Sequence, residues 1–273
     1  MQYDKQSYLN KVDRQGVAAL IPARGGSKGV HKKNIQLIKG FPLIAYSIAA
    51  CRMSDKIERV IVSTDSEEIA GIARSFGAEV PFLRPEEYAS DQSGDIEFVW
   101  HFIQYMYEKE ERIPEYLVHI RPTTPFREAE IVDQAIEKCM AHGECSSLRS
   151  AHEASESPYK WFLLKENGCF GTLNSRISND GANQARQDFP AVYIPDGYVD
   201  VLKSTFVIEN QKLHGEHMLG FVSPACTEID TWEDFDYIRF LIDTRGSGIY
   251  DYLKEHYAPE ARAAGTAVKE ERV

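Results

Sequence analysis

No stretch of this 273-residue chain approaches the roughly 18 consecutive apolar residues of a membrane span. Residues 1–16 are polar and lack the apolar segment of a secretory leader, so the expectation is a cytoplasmic protein with no membrane partner. The five cysteines, Cys51, Cys139, Cys145, Cys169 and Cys226, are odd in number, form no Cys-x-x-Cys pair and have no histidine at zinc-ligand spacing. They read as reduced, mostly packing residues. A broad basic surface is also lacking: the formal net charge is -11, which argues against a nucleic-acid partner. The phosphate-loop pattern Gly-x-x-x-x-Gly-Lys-[Ser/Thr] and the dinucleotide pattern Gly-x-Gly-x-x-Gly are both missing, which counts against a P-loop enzyme and a dehydrogenase. No internal repeat is visible.

What is present is concentrated near the N-terminus. The apolar run Val17 to Ile21 reads as a buried strand. After Pro22 it breaks into Ala23-Arg-Gly-Gly-Ser-Lys-Gly29, with Lys32, Lys33 and Asn34 just beyond. Gly25, Gly26 and Gly29 permit backbone geometry in which successive N–H groups turn towards phosphate oxygens. Arg24, Lys28, Lys32 and Lys33 supply four cations. In so acidic a chain a basic cluster this tight implies a local anion, either a phosphate or a nucleotide; an ordinary solvated glycine turn is the competing reading.

Strand and helix patterns then alternate. Helices are expected after Pro42, over Glu67 to Phe76 closed by Gly77, over 94–110 and over Ala129 to Met140, with strands over Glu58 to Asp65, Ala78 to Leu83, Tyr116 to Arg121 and Cys145 to Arg149. This rhythm indicates an α/β fold with a mostly parallel sheet, whose ligands bind beyond the carboxyl ends of the strands. Arg24-Gly-Gly-Ser27, Ser63-Thr-Asp65 and Arg121-Pro-Thr-Thr124 all follow predicted strands, so they should collect on one rim.

The rhythm stops between Glu153 and Pro195, where two short segments flank Asn167-Gly168, a hairpin signal. This excursion is too small for its own core and reads as an arm for a second copy, or else as a lid. The division expected is a core over 17–152 plus 196–257, an arm over 153–195, and flexible termini over 1–16 and 258–273. Near the C-terminus, Glu228 and Asp230 alternate in extended chain and share a face, while Thr231 can cap a helix through Leu241.

Taken together, Ile21-Pro-Ala-Arg-Gly-Gly-Ser-Lys-Gly29 with Lys33-Asn34, Val62-Ser-Thr-Asp65, Arg84-Pro85, Pro122-Thr-Thr-Pro-Phe-Arg127 and Ile229-Asp-Thr-x-x-Asp-Phe235 resemble the acylneuraminate cytidylyltransferase (CMP-sialic acid synthetase) family over roughly residues 17–242. The resemblance implies a Rossmann-like nucleotidyltransferase fold with a mostly parallel sheet and a small dimerisation arm. It also implies a homodimer, and Mg²⁺-dependent transfer of a cytidylyl group from CTP to the anomeric hydroxyl of a nonulosonic (nine-carbon 2-keto) sugar acid, releasing pyrophosphate.

Carried over by position, Ala23, Arg24, Gly25, Ser27, Asn34 and Arg84 would bind the nucleotide, and Arg24, Lys33 and Asp230 would form the catalytic set. A cation about 4 Å from a phosphate charge is worth roughly 4 kcal/mol at an effective dielectric near 20. Glu228 and Asp230 would hold Mg²⁺, although the family shows aspartate at both positions. Arg121, Thr123, Lys160, Arg186, Gln187, Asp196 and Asp200 would face the acceptor, the arm residues across a dimer.

Two segments depart from the family pattern. Arg121-Pro-Thr-Thr-Pro125 replaces Gln-Pro-Thr-Ser-Pro, and Asp196-Gly-Tyr-Val-Asp200 replaces Asn-Gly-Ala-x-Tyr. An arginine can grip a carboxylate or phosphate in a fork, whereas Asp200 suits a cationic or hydroxyl-rich group. The expected acceptor is therefore a relative of N-acetylneuraminate, such as a legionaminic-type diamino sugar acid. The alternatives are a nucleotidyltransferase for a sugar 1-phosphate and a non-catalytic nucleotide-binding subunit.

Overall fold

The computed structural model describes residues 4–26, 29–90 and 92–257. The chain opens with helix α1 (Lys5–Leu9), capped by the Asp4 carboxylate, and enters strand β1 (Val12–Pro22). Strands β2 (Leu37–Ile38) and β3 (Phe41–Pro42) make a small hairpin before helix α2 (Leu43–Arg52). Strand β4 (Arg59–Ser63), helix α3 (Glu67–Ser75), helix α4 (Asp95–Tyr105), strand β5 (Ile113–His119), helix α5 (Ala129–Ala141) and strand β6 (Ser147–Glu153) follow. Strands β7 (Phe162–Leu164) and β8 (Phe170–Thr172) form a separate hairpin. Strand β9 (Tyr193–Lys203), helix α6 (Ser204–Asn210), strand β10 (Met218–Val222), helix α7 (Trp232–Arg245) and helix α8 (Gly248–Tyr257) complete the described residues.

Six strands make the central sheet in the order β10-β6-β9-β5-β1-β4. The pairs β1–β4, β1–β5 and β6–β10 are parallel, and β9 alone runs antiparallel to its two neighbours. Side chains alternate across β1. Val17, Ala19 and Ile21 join one buried cluster with α2, α3, α5, α7 and α8, while Ala18 and Leu20 join a second with α1, α4 and α6. Apolar residues facing both ways are what a sheet covered on both faces requires.

Several expectations change. The segment 1–16, taken as a flexible terminus, is built into the fold over its described part. Tyr8 is buried and stacks on Tyr107 and Trp100, with ring centroids 3.9 and 5.6 Å apart, and β1 starts at Val12 rather than Val17. Polar spacing around a single aromatic anchor gave no periodic signal. The strand expected over Ala78 to Leu83 reduces to one bridge, Ile61 with Glu79. Pro81 and Pro85 lack the N–H donors needed to continue it. The helix expected over 94–110 ends at Tyr105 and passes into a π-turn, closing at Glu111 with φ 53°. Residues 258–273, expected to be flexible, lie outside the described residues.

The excursion leaves β6 after Glu153 and returns into β9 at Tyr193, which pair with each other. Its hairpin exposes Trp161, Phe162, Leu163, Leu164 and Phe170, with Leu164 70% exposed.

The anchoring of α1 makes a quantitative prediction. Tyr8→Ala should cost about 3 kcal/mol, as loss of a buried aromatic does. Urea unfolding should show it as a lowered midpoint at unchanged slope, whereas an unaltered midpoint would mean that α1 is peripheral to the fold.

Candidate functional site

The three polar clusters that follow β1, β4 and β5 meet on one rim. Beside them lies a cavity of about 450 Å³ lined by Pro22, Arg24, Gly29, Lys33, Asn34, Arg84, Arg121, Thr123, Glu228 and Asp230, and also by Tyr88, Ser90, Ser93, Asp95 and Phe98; Ser63 and Asp65 do not line it but are bonded to Arg84 and Gly25. The loop after β1 is pinned from several sides. Ala23 N–H donates to the Ser63 carbonyl at 2.9 Å, Gly25 N–H to Asp65 Oδ1 at 2.8 Å, and Asn34 Nδ2 to the Arg24 carbonyl at 3.0 Å. Arg24 extends across the cavity mouth to donate to the Ser90 carbonyl at 3.0 Å. Ser27 lies outside the described residues.

The far end of the chain closes onto this loop. A Cβ on Gly29 would collide with the Asp230 carbonyl oxygen, so only glycine permits the approach. Lys33 Nζ donates to the Ile229 carbonyl at 2.7 Å and to Asp230 Oδ1 at 2.9 Å. From the other side, Ile229 N–H donates to the Thr123 carbonyl at 2.7 Å and Thr123 Oγ1 to Glu228 Oε1 at 3.0 Å. Ile229 is thereby buried while Glu228 and Asp230 flank it on the cavity wall. A capping box at Thr231 and Asp234 starts α7 immediately afterwards, and Asp230 N–H donates to Asp234.

The cations differ in how they are held. Arg84 is buried, donates to the Ser63 hydroxyl and carbonyl, and lies 4.9 Å over the Phe98 ring. Burial pulls its pKa down to about 10, against the opposing pull of Asp65 and Asp95. Arg127 is fully enclosed. It donates to Ser47 Oγ and to the carbonyls of Arg121, Gly197 and Tyr198, tying the Pro122–Pro125 loop to β9.

Among solved structures, CMP:2-keto-3-deoxy-manno-octonic acid synthetase complexed with CTP superimposes with a TM-score of 0.62 at 15% identity, covering 84% of this chain and 99% of that one; the likeness is one of fold. A family model described as cytidylyltransferase matches residues 18–239. The chain belongs to the cytidylyltransferase family. It is 40% identical over 231 residues to a CMP-N,N'-diacetyllegionaminic acid synthase of Legionella pneumophila, over 83% of this chain and 96% of the relative. It is 28% identical over 224 residues to an N-acylneuraminate cytidylyltransferase of Escherichia coli, over 82% of this chain and 51% of the relative, so it spans about half that relative's length.

The cytidylyltransferase cavity gathers Arg24, Lys33, Asn34, Arg84, Glu228 and Asp230 of the residues named from the sequence, together with Arg121 and Thr123; Ala23 and Gly25 do not line it, nor does the whole acceptor set. Asp196 is buried away from it, accepting from Ser150, Ser223, His152 and the Tyr198 N–H, where it knots β6 to β9. Asp200, expected to meet the acceptor, is only 2% exposed. Its carboxylate faces Arg121, Arg149 and His119. Burial raises its pKa despite the two arginines, and burial followed by Arg121 depresses that of His119. Arg121 is therefore not a free fork: Asp95 and Asp200 hold it, and against the pull of burial their charges raise its pKa. Lys160 donates to the Gln184 carbonyl, and Arg186 pairs with Glu153 and the Ala154 carbonyl. With Gln187, Arg186 lines a separate arm cavity of about 270 Å³.

Asp95, Phe98 and Arg127 were missed as site residues. An acid in the first turn of a helix reads as a partner of the helix dipole, which concealed Asp95.

The Gly29 contact can be tested alone. In the Gly29→Ala protein the loop must lift off Asp230, and misplacement on the ångström scale costs about 10²-fold in turnover. Pyrophosphate release should fall by that order with the circular dichroism spectrum unchanged, while near wild-type turnover would show that this closure is not needed.

Proposed function

We propose that this cytidylyltransferase joins CMP from CTP to the anomeric hydroxyl of a nonulosonic sugar acid of the sialic and legionaminic type. The acceptor hydroxyl oxygen attacks the α-phosphorus and gives up its proton to solvent, the bond from that phosphorus to the oxygen bridging to the β-phosphate breaks, and pyrophosphate leaves with the electron pair. The observation that carries this reading is the convergence of Arg24, Lys33 and Arg84 with the Glu228–Asp230 carboxylates around one cavity. The 40% identity to the Legionella pneumophila CMP-N,N'-diacetyllegionaminic acid synthase supports the choice of acceptor class.

In this reading Arg24 and Lys33 neutralise the triphosphate. Lys33 Nζ carries three protons, of which the Ile229 carbonyl and Asp230 take two, leaving one for a phosphate oxygen. Pinning the loop fixes the Arg24 backbone in advance of binding, and stabilisation by preorganised charge is the main resource for such chemistry.

Mg²⁺ fits the donor set. Glu228 Oε2 and Asp230 Oδ2 have no hydrogen-bond partner among the described residues, and hard carboxylate oxygens suit an ion that also keeps water and phosphate ligands. When bound there, the ion would neutralise charge developing on the phosphates. No cluster of three or more histidine, cysteine or acidic ligands occurs among the described residues, so the remaining ligands would come from CTP and water.

The arm is proposed to dock on a second copy, covering the apolar row from Trp161 to Leu164 and carrying Lys160, Arg186 and Gln187 to the partner's cavity. No helix among the described residues is long and apolar enough to cross a membrane, and the cytoplasm, where CTP is available, is the proposed setting. The sugar 1-phosphate alternative is disfavoured by Arg121, whose charge is already matched by Asp95 and Asp200.

Pyrophosphate release across four nucleoside triphosphates, 2-keto sugar acids and sugar 1-phosphates tests the proposal. Turnover should need CTP and a nonulosonic acid, and Lys33→Ala and Asp230→Asn should each lower it by about 10³-fold, the scale of losing one preorganised charge contact. Turnover with a sugar 1-phosphate in place of the sugar acid would overturn the assignment.

A further inference from the structure

Arg121 and Asp95 stand together on the cavity wall. Arg121 Nη2 donates to Asp95 Oδ2 at 2.7 Å and Nη1 to Asp200 Oδ2 at 3.4 Å. Behind them the sheet registers Asp200 of β9 against His119 of β5 and Arg149 of β6. Arg149 Nε lies 3.9 Å from Asp200 Oδ1, and His119 Nδ1 lies 3.9 Å from Oδ2. The Arg121 stem passes over Gly197, where φ is +64° and a Cβ would stand 3.3 Å from Arg121 Cδ. The fork is therefore held by its backing strand as well as by its ion pairs.

The charges in this cluster cancel. Arg121 and Arg149 face Asp95 and Asp200, and the enclosed His119 is neutral, since burial opposes its protonation. An anionic acceptor group would have to displace Asp95 from Arg121 and then sit beside a carboxylate, which like-charge repulsion disfavours. What the cavity offers instead is a donor edge next to an acceptor. Asp95 Oδ1 makes no hydrogen bond among the described residues, and its side chain remains 40% exposed. A secondary amide has the matching pair of groups: its carbonyl accepts from a guanidinium and its N–H donates to a carboxylate.

We propose that Asp95 and Arg121 form one specificity subsite that reads an amide substituent on the acceptor sugar acid. Asp95 both accepts the amide N–H and positions the arginine. The subsite rests on the reading of the chain as a nonulosonic acid cytidylyltransferase and narrows it to amide-bearing acceptors. A hydroxyl in place of the amide nitrogen can still donate to Asp95 but carries no acyl carbonyl to accept from Arg121.

The test measures CTP-dependent pyrophosphate release for wild type, Asp95→Ala, Asp95→Asn, Arg121→Met, which keeps the length but no donor, and the Asp95→Ala/Arg121→Met double variant. Two sugar acids are used that differ only in acetamido against hydroxyl at one carbon, and circular dichroism checks each fold. Wild type should prefer the amide acceptor by about tenfold or more in kcat/KM, the scale of one satisfied hydrogen-bonding pair. Asp95→Ala and Arg121→Met should each erase most of that preference through the acceptor KM. The double variant should lose no more than the worse single variant, since both residues act on one group. The isosteric Asp95→Asn variant, which keeps the packing, should fall between wild type and Asp95→Ala.

Equal use of the two acceptors by wild type would overturn the subsite, as would additive losses. So would a change in CTP-to-UTP selectivity in the Asp95 variants with the acceptor preference intact, which would make Asp95 a reader of the base. If wild type releases no pyrophosphate from CTP with either sugar acid, the underlying functional reading fails and the subsite falls with it.

Discussion

The site depends on a single closure, the backbone of Ile229 and Asp230 pressed against the glycine loop. Gly29 yields the space, and Lys33 bonds the Ile229 carbonyl and the Asp230 carboxylate across 197 residues of chain. Thr123 grips the same segment from its other side. Without this contact the cations after β1 and the carboxylates before α7 would belong to separate loops. With it they face one cavity, and the Thr231 capping box fixes the direction in which α7 leaves.

Charge is organised by the same principle of local matching. The chain carries a formal charge of -11, yet the cavity wall is assembled around arginines and lysines. On the loop side, Arg24 donates to the Ser90 carbonyl, Lys33 to the Ile229 carbonyl and the exposed Asp230 carboxylate, and Lys32 pairs with Glu68. The deeper ones are compensated differently. Arg84 rests on Phe98 and Ser63, Arg121 sits between two carboxylates, and Arg127 uses three carbonyl oxygens and the Ser47 hydroxyl. A buried guanidinium satisfied by carbonyls braces loops well because its donors are fixed in one plane.

Much of this was legible in the residues themselves. Apolar runs ending in Gly, Ser, Thr or Asp located β1, β4 and β5 and the rim they share, because a sheet covered on both faces demands such runs. The pairing of residues near position 30 with residue 230 needed the family pattern, since no local rule connects them. Polar residues inside strands misled: Asp196 and Asp200 looked like substrate contacts, but each is a buried partner for side chains on the neighbouring strands. Periodicity also cannot report direction, so the antiparallel course of β9 was invisible. The anchoring of α1 was missed because one stacked tyrosine among polar residues has no period.

If the loop and the carboxylate pair form one metal–nucleotide site, calorimetric titration of CTP with and without Mg²⁺ reveals it most directly. In wild type, Mg²⁺ should tighten CTP binding by about tenfold or more, which corresponds to roughly 1.4 kcal/mol. In the Glu228→Gln/Asp230→Asn double variant that gain should vanish while weak, metal-independent binding to the loop persists. An equal Mg²⁺ gain in both proteins would contradict the account, because the ion would then owe nothing to the segment that closes over Gly29.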